Sequence, residues 1–446
     1  MEEQIYLHRD AFFKKLQGAV ILYNVYNYEG RLKMHIVVSR LLESIDGNRT
    51  LDGIVKLFDE QSEIFGSVKG FNAQNVMKYL LDNGFLTLDK DKGKLPQLEQ
   101  KYPAIDMVNL RVTNSCNFSC SHCFPESSIQ KNKELTYEEL IDVISELAKY
   151  KVLHITLTGG EPFLNNNLLD IAEFANSKGM IVSICTNASL IKDEHISRLK
   201  KCAIGSLKVS LDGASAETHD QYRGNGKFEK LIPMIRKLVD AKIYVCINTV
   251  ISKINFHEYK QISELVKELK VSEFACDTIR KTGRALENWD ILALTYEEKL
   301  EFTAYFRSLM PKFGDVVIGS RIFPLILNDT IETDHLTKAC GLCISNMVIL
   351  SNGDVTPCWR LFDLGMVSGN IKQSSLDDIW NKSELFIKVR NLEISSLEKC
   401  KDCEGKDFCE GSCRAFALAN HNNWSGEPDP ERCRFALDLN SILLVK

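Results

Sequence analysis

The sequence has no long apolar run, no excess of basic residues and no secretion signal, and each absence excludes a class of protein. None of its hydrophobic segments approaches the ~18 apolar residues that a membrane-spanning helix needs. The formal net charge of -5 argues against a general nucleic-acid binder, although it allows a local basic patch. The first residues, MEEQ, lack the basic and apolar regions of a signal peptide. We therefore expect a cytoplasmic protein with no membrane and no nucleic acid among its partners.

Cysteine is the unusual component, with 15 residues in a chain of 446. The cytoplasm keeps thiols reduced, so a cysteine-rich cytoplasmic chain indicates metal ligands rather than disulfides. Eleven cysteines fall into two groups, one near residue 120 and one beyond residue 336. The other four lie in apolar segments and are expected in the core, where free cysteine is common: Cys185, Cys202, Cys246 and Cys276.

At roughly 100–200 residues per domain, the chain is long enough for two to four domains. Several regions can be distinguished along it. Residues 1–95 begin with a β-rich stretch and continue with helices, one of them capped by Thr50 and another ending before Gly84. A charged, proline-containing linker follows, and the central region spans residues 104–290. Residues 291–335 are expected to form a mostly helical bridge. Residues 336–446 carry eight cysteines and few periodic runs, which predicts a small domain organised by metal.

The central region alternates short apolar runs with helical patterns, one of them beginning at a capping box formed by Thr136 and Glu139. Such alternation predicts βαβ units and a parallel sheet. Six units fall short of the eight that close a barrel, so we expect an α/β fold with a partial (β/α)6 barrel, open on one side. The predicted strands are Met107–Val112, His154–Thr158, Met180–Thr186, Ser206–Leu211, Ile243–Ile251 and Glu273–Asp277.

The first cysteine group is Cys116, Cys120 and Cys123, directly after the first predicted strand. A loop at that place lies at the face of a barrel where active sites form. Thiolates bind iron–sulfur clusters, and three of them leave one iron of a [4Fe–4S] cluster open to another ligand. Accidental spacing and a zinc site are the alternatives, although structural zinc usually needs two pairs of cysteines.

The string CNFSCSHCF, from Cys116 to Phe124, resembles the signature loop of the radical S-adenosylmethionine (SAM) superfamily. The resemblance covers residues 104–446. It implies that the amino and carboxylate groups of SAM bind the open iron. One electron then cleaves SAM to methionine and a 5′-deoxyadenosyl radical, which takes hydrogen from a substrate. Phe124 is expected near the adenine, with an ordinary core position as its alternative.

Further matches to the superfamily follow at the ends of successive predicted strands. Gly159, Gly160 and Glu161 precede a proline; the glycines allow close backbone approach to a ligand, and the carboxylate can bind an ammonium group. The other expected SAM contacts are Ser183, Asn187, Ser210, Asp212 and Arg223. Arginine suits a carboxylate because its donors form a bidentate fork. Caps, turns and surface ion pairs are the alternative for each of these residues.

The C-terminal cysteines resemble the SPASM domain, the seven-cysteine extension of radical SAM enzymes that modify peptides and proteins. The resemblance implies two auxiliary clusters, and hence three [4Fe–4S] clusters in all. One would use Cys340, Cys343, Cys358 and Cys413, the other Cys400, Cys403, Cys409 and Cys433. Without Cys340, the first of these clusters would keep an open iron that could bind a substrate thiolate. A zinc-ribbon-like domain is the alternative.

Residues 1–95, with SIDGNRTL from Ser44 and LLDNGFL from Leu80, resemble a winged-helix domain that binds the leader of a ribosomally made precursor peptide. Such domains add the peptide as a strand at a sheet edge. A DNA-binding winged helix, disfavoured because no basic recognition helix is present, or a structural cap are the alternatives.

These resemblances together imply a radical SAM enzyme that forms thioether crosslinks in a precursor peptide, supplied with electrons by a donor such as flavodoxin or ferredoxin. Carbon–carbon crosslinking, formylglycine formation and a non-catalytic metal-organised adaptor stay open. No residue is singled out as a general base.

Overall fold

The structure is a computed structural model. It describes residues 4–8, 11–16, 19–24, 31–35, 37–60, 72–94, 105, 107–124, 134–202, 204–309, 316–320, 345–409 and 411–444. The chain divides into two compact units. One comprises residues 1–104 and 328–345, and the other comprises residues 105–327 and 346–446.

The first unit contains two antiparallel sheets and three described helices. Strand β1 (Tyr6–His8) lies between β5 (Leu86–Thr87) and β6 (Gly93–Lys94). Strand β3 lies between β2 and β4 in the second sheet, and these strands span Ala11–Leu16 (β2), Ala19–Asn24 (β3) and Arg31–His35 (β4). The helices span Val37–Glu43, Leu51–Glu60 and Ala73–Asp82.

The predicted helix signals of this unit are confirmed. The Thr50 hydroxyl accepts a hydrogen bond from the Gly53 amide at 3.1 Å and caps the second helix. Gly84 follows the third helix with a φ of 71°, a conformation that favours glycine. Apolar side chains at helical spacing, among them Leu41, Leu42 and Ile45, form one buried core.

The second unit is built on a ten-stranded sheet. Strands β7 to β13 lie side by side in chain order and are parallel, and β14 pairs in parallel with the outer side of β7. Strands β15 and β16 continue the sheet in antiparallel pairing. The strands span Met107–Thr113 (β7), His154–Gly159 (β8), Ile181–Thr186 (β9), Ser206–Ser210 (β10), Val245–Ile251 (β11), Glu273–Thr278 (β12), Val317–Ser320 (β13), Asn346–Ile349 (β14), Asp354–Thr356 (β15) and Gly369–Asn370 (β16).

All six strands predicted for the barrel are present as β7 to β12. Two further strands were not predicted: β13 interrupts the region expected to be helical, and β14 joins the cysteine-rich region to the barrel sheet. The α-helices of this unit span Tyr137–Lys149, Leu168–Ser177, Asp193–Lys201, Ala216–Arg223, Phe228–Asp240, Tyr259–Glu268, Trp289–Leu292, Tyr296–Leu309, Trp359–Asp363, Glu384–Arg390, Lys406–Cys409, Arg414–His421 and Pro430–Leu444. The predicted capping box of Thr136 and Glu139 is confirmed. No helix among the described residues is long and apolar enough to cross a membrane.

The two faces of the parallel sheet differ in chemistry. Alternate residues such as Leu110, Leu157 and Val209 are fully buried in the apolar core shared with the helices. Because side chains alternate along a strand, their neighbours lie on the other face. That face carries Asn109, Arg111, Thr156, Thr158, Ser183, Cys185, Lys208, Ser210 and Asn248. Parallel sheets covered by helices on both sides are apolar on both faces, so the polar face indicates a surface that contacts a polar ligand rather than a second apolar core.

The four cysteines expected in the core have different positions. Cys202, Cys246 and Cys276 are buried as predicted. Cys185 is only half-buried, because the alternation along β9 places it on the polar face with Ser183. The expectation of a core position was therefore wrong for Cys185.

Candidate active site

The loop that carries the first three cysteines follows β7 and is fixed by backbone contacts. The Cys123 amide donates to the Cys120 carbonyl at 3.3 Å. The Ser121 amide donates to the Tyr222 carbonyl at 3.1 Å, and the Arg284 amide donates to the Cys123 carbonyl at 3.2 Å. Elements far apart in the sequence therefore hold the loop in place at the carboxyl ends of the strands. Among the residues that the structure describes, all cysteines are free thiols.

Cationic side chains surround these thiols. Burial raises the pKa of Cys116 and Cys120, and the Arg223 guanidinium opposes this effect at Cys120. An Arg223 Nη1 atom lies 4.0 Å from the Cys120 Sγ atom. A guanidinium at that distance favours the thiolate, which is the form that binds iron.

Arg111 tests whether an iron–sulfur cluster fits this loop. Its side chain is 3% exposed, and its Nε and Nη2 atoms find no hydrogen-bond partner among the described residues. Burial lowers the Arg111 pKa, and the nearby Cys123 thiol, Glu134 carboxylate and Cys116 thiol oppose that effect. The guanidinium is thus a buried cation with two donors that find no hydrogen-bond partner, which is costly. A thiolate-bound cluster carries negative charge and would satisfy it, so the donor set and its surroundings fit a [4Fe–4S] cluster held by the three cysteines.

Gly159 and Gly160 bring the next loop against the cysteine loop. A Cβ atom on Gly160 would lie 2.1 Å from the Ser115 carbonyl oxygen, and one on Gly159 would lie 2.5 Å from the Thr113 carbonyl oxygen. The Glu161 amide donates to the Ser115 carbonyl at 2.8 Å. The sequence suggested that these glycines admit a ligand. The close approach that the structure shows is between two backbone segments, one of which leads into Cys116. The contact of the two glycines with SAM stays a prediction.

Glu161 joins the ends of β8 and β9. Its carboxylate is 1% exposed and accepts hydrogen bonds from the Thr186 hydroxyl at 2.7 Å, the Asn187 amide at 2.8 Å and the Phe163 amide at 3.2 Å. Burial raises the Glu161 pKa, although these three donors oppose the shift. Its role as the acceptor of the SAM ammonium group stays a prediction.

Three of the predicted SAM contacts lie at different distances from the carboxyl ends of their strands: Asn187, Ser183 and Ser210. The Asn187 side-chain amide donates to the Asn117 side-chain oxygen at 3.0 Å, so it contacts the cysteine loop. Ser183 was placed at the end of the third strand, but it is the third residue of β9, and its hydroxyl lies 2.9 Å from the Ser206 hydroxyl. It therefore sits deeper than the strand end. Ser210 ends β10 and is half-buried on the polar face.

Asp212, two residues beyond the end of β10, is the centre of a buried network. Its carboxylate is fully buried; one oxygen accepts from Arg223 Nε at 2.6 Å, and the other accepts from the Val250 amide at 2.9 Å. His122 Nε2 lies 3.3 Å from the Asp212 carboxylate. Burial opposes ionisation, but Arg223 and His122 hold the pKa of Asp212 well below its usual range.

This network shows a second role for Asp212. Its oxygens accept hydrogen bonds from protein donors, and the carboxylate in turn raises the pKa of Arg223 against the effect of burial. Asp212 therefore positions Arg223 beside Cys120. Its contact with SAM stays a prediction. His122 was not predicted from the sequence as part of this site. The signal for it was its place between Cys120 and Cys123.

The C-terminal cysteines form two groups in the described part of the chain. Burial raises the pKa of Cys433 to about 11, and the nearby thiols of Cys409, Cys400 and Cys403 add to this shift. These are the four cysteines predicted for one auxiliary cluster, and they lie close enough to interact electrostatically. Their role as cluster ligands stays a prediction. Electrostatic contacts with both Cys413 and Cys358 raise the pKa of Arg360, although burial opposes the shift.

Cys413 and Cys358 belong to the other predicted set, and their shared contact with Arg360 brings them together. Cys340 and Cys343, the remaining two ligands predicted for that set, lie outside the described residues.

Comparison with known proteins agrees with this geometry. Residues 110–266 match the radical SAM superfamily, and residues 340–404 match an iron–sulfur cluster-binding domain, SPASM. The AdoMet-dependent heme synthase of Methanosarcina barkeri is 32% identical over 336 residues, which cover 70% of this chain and 92% of that protein. The mycofactocin maturase MftC of Mycolicibacterium smegmatis is 27% identical, over 75% of this chain and 84% of that protein.

One solved structure is similar over nearly the whole length. The crystal structure of Streptococcus suis SuiB bound to its precursor peptide SuiA superposes with a TM-score of 0.67 at 18% identity, covering 96% of this chain and 99% of that chain. At that identity the similarity supports the fold. It extends beyond the part of the chain that the two curated relatives match.

Proposed function

This chain belongs to the radical SAM superfamily and carries its SPASM domain, and from that premise we propose that it forms thioether crosslinks in a ribosomally made precursor peptide. The superfamily assignment makes the protein an enzyme and removes the non-catalytic adaptor from consideration. The substrate would be a peptide with a cysteine that attacks the carbon of another residue.

The peptide proposal rests on the antiparallel sheet of β2, β3 and β4 in the first unit. Within the described residues, β3 is paired on both sides, whereas β2 and β4 are each paired on one side only. An unpaired strand edge offers backbone donors and acceptors to an added strand, the mode by which extended peptides bind sheets. SuiB, whose fold matches 96% of this chain, is described as bound to a precursor peptide.

The residues of the cysteine loop and of the polar face would hold the cofactors and the substrate. When bound, the cluster and SAM supply a 5′-deoxyadenosyl radical that takes a hydrogen atom from the substrate carbon. Cys116, Cys120 and Cys123 would hold the cluster, and Arg223, fixed by Asp212, would pair with the SAM carboxylate. The polar face of the sheet would bind the peptide backbone next to the cluster.

Thioether formation requires an electron acceptor. The peptide loses one hydrogen atom to the deoxyadenosyl group, and the cysteine thiol loses a proton as its sulfur bonds to the carbon. One electron is then in excess. The C-terminal cysteines are suited to hold acceptors, because iron–sulfur clusters span a wide range of potentials set by their ligands and exposure.

A heme precursor is the competing substrate. The relative with 32% identity is an AdoMet-dependent heme synthase, and this chain covers 92% of it. The alignment covers 70% of this chain, however, and leaves the remaining 30% without a counterpart there. A heme precursor has no peptide backbone to pair with an open strand edge, so we favour the peptide.

The test is anaerobic turnover of the reconstituted enzyme with SAM, a reductant and synthetic peptides that represent any cysteine-containing short open reading frames found beside its gene. We expect 5′-deoxyadenosine, a peptide that has lost two hydrogen atoms per crosslink, and a cysteine that iodoacetamide no longer alkylates. Cys116→Ala is the matched control and should give none of these.

The outcomes separate the candidates. Loss of two hydrogens with the cysteine still open to alkylation would indicate a carbon–carbon crosslink. Conversion of the cysteine to an aldehyde would indicate formylglycine. Turnover of a heme precursor with no change in any peptide would contradict the peptide proposal.

A further inference from the structure

A buried serine lies next to cysteines of both C-terminal groups. Ser412 directly precedes Cys413, in the turn between the helix Lys406–Cys409 and the helix Arg414–His421. Its amide donates to the Cys409 carbonyl at 2.9 Å. Cys409 and Cys413 are predicted for different auxiliary clusters, so Ser412 is adjacent to a predicted ligand of each.

The backbone of Ser412 adopts a conformation that favours glycine. Its φ is 64°, in the left-handed region, where the Cβ atom of an L-residue approaches the following carbonyl oxygen. Within the described residues, Ser412 is the only buried polar residue with a positive φ. The other non-glycine residues with a positive φ are exposed or apolar, namely Lys151, Ala188, Lys242, Lys270 and Asn422. Glycine would form this turn at a lower cost, so the turn itself gives no reason for a side chain.

The Ser412 hydroxyl is buried and has no hydrogen-bond partner within the described residues. The residue is 5% exposed, and its Oγ atom is shielded from solvent. A hydroxyl that is buried without a partner is costly. Serine therefore carries two costs at this position, and glycine would avoid both. An acceptor that does not belong to the described chain would account for the side chain, because a hydroxyl can rotate to meet it.

The surroundings indicate the chemistry of that acceptor. Burial raises the pKa of the Cys409 thiol, whereas Arg432 and the Ser412 amide oppose the shift. The backbone of Ser412 thus already favours the thiolate of a predicted cluster ligand. The sulfurs of an iron–sulfur cluster carry negative charge and accept hydrogen bonds. A buried hydroxyl without a partner beside these cysteines fits such a cluster.

We propose that the Ser412 hydroxyl donates a hydrogen bond to a sulfur of an auxiliary iron–sulfur cluster and thereby raises the reduction potential of that cluster. Reduction adds negative charge to the cluster, so a donor stabilises the reduced form more than the oxidised form. A higher potential makes the cluster a better electron acceptor, which is the role that the proposed function gives it. The inference rests on cluster binding by the C-terminal cysteines and is independent of the substrate.

The proposal predicts the same change for two variants that differ in their backbone. Ser412→Ala and Ser412→Gly both remove the hydroxyl, but only glycine relieves the left-handed backbone. We expect both variants to disfavour reduction of one auxiliary cluster by about tenfold, a potential lower by about 59 mV for one electron. The potential of the first cluster should not change.

The experiment is an anaerobic redox titration of the reconstituted full-length protein, followed by electron paramagnetic resonance. The Cys116→Ala background removes the first cluster, so that the signals belong to the auxiliary clusters. Adding Cys433→Ala removes one predicted set of ligands. If the effect of Ser412→Ala persists there, the acceptor belongs to the cluster of Cys413, and if it disappears, to the cluster of Cys409.

Ser351→Ala is the matched control. Ser351 is 1% exposed, and its hydroxyl also has no hydrogen-bond partner within the described residues. It lies in the turn between β14 and β15, whereas Cys358 follows the other end of β15. The variant should leave the potentials of both auxiliary clusters unchanged. Iron and sulfide content is measured for every protein, and Ser412→Gly gives the comparison if Ser412→Ala loses iron.

Three results would overturn the proposal. One is an unchanged potential of both auxiliary clusters in Ser412→Ala and Ser412→Gly at full iron content. Another is a shift in Ser412→Ala that is absent in Ser412→Gly, because the backbone would then be its cause. The third is a wild-type protein that holds iron for the first cluster only. Failure to modify any peptide would contradict the proposed function and leave these potentials as they are.

Discussion

Glu161 and Asp212 lie at the carboxyl ends of two strands of one sheet, and both are buried, yet their partners differ in kind. Glu161 accepts hydrogen bonds from a hydroxyl and two backbone amides, all neutral. Asp212 accepts from the Arg223 guanidinium and contacts His122. The Glu161 pKa is raised and the Asp212 pKa is lowered. Burial alone therefore does not decide the ionisation of a carboxyl group; the charge of its partners does.

The largest effect is expected for Asp212→Asn. The variant leaves Arg223 buried without its counter-ion, and breaking a buried ion pair in this way costs about 3–5 kcal/mol. Urea unfolding of the cluster-loaded protein measures the free energy of unfolding. The Asp212→Leu/Arg223→Met double variant, which removes both charges, should recover most of the stability. A loss below about 1 kcal/mol for the single variant would show that Arg223 finds another partner.

Gly160→Ala tests the contact between the Glu161 loop and the cysteine loop, and it changes neither carboxylate. The new methyl group would meet the Ser115 backbone, so the cysteine loop must move, at a cost of about 1–3 kcal/mol. We expect a lower content of iron and sulfide, measured by colorimetric assay. Gly405→Ala is the control, since its nearest atom would be a side chain at 3.4 Å. A full cluster complement in Gly160→Ala would mean that the loop adapts freely.

Glu161→Gln should cost less than Asp212→Asn, about 1–3 kcal/mol, because it leaves one donor facing an amide group rather than an unpaired charge. The measurement is again urea unfolding at neutral pH. A cost equal to that of Asp212→Asn would remove the contrast between the two carboxylates.

The pH dependence should have opposite signs at the two positions. The Glu161 pKa is raised above 4.5, so its ionised form is disfavoured in the folded state, and wild type should gain stability over Glu161→Gln as the pH falls towards that value. The Asp212 pKa is lowered below 3.8, so its contribution is complete above that pH and is lost only in stronger acid. Stability measured from pH 7 to pH 4 should change with pH at the first position and stay level at the second.

Thr186→Val should give the smallest effect, about 0.5–1.5 kcal/mol, because it removes one neutral donor from Glu161 and keeps the shape of the side chain. In the Glu161→Gln background the same change should cost less. Thermal unfolding of the four proteins gives the coupling between the two side chains, and a coupling of zero would exclude their hydrogen bond as a source of stability.

Local patterns predicted the strands of the barrel and the cap at Thr50, because periodicity and capping depend on neighbouring residues. Partners from distant parts of the chain were not predictable in this way. His122 and Asp212, or Gly160 and Ser115, meet only after the sheet has formed. Ser183 does not lie at the strand end, which the predicted bounds Met180–Thr186 already indicated, since they make it the middle residue of the run.

The pairing of β14 with β7 also has a consequence for the order of folding. During synthesis β7 emerges early, but its outer edge stays open until the last quarter of the chain supplies β14. Contacts between distant segments form slowly, and an unpaired edge strand invites association with other chains. The cysteine-rich domain therefore supplies the strand that covers this edge of the barrel sheet, and we expect a chain that stops before β14 to aggregate more readily.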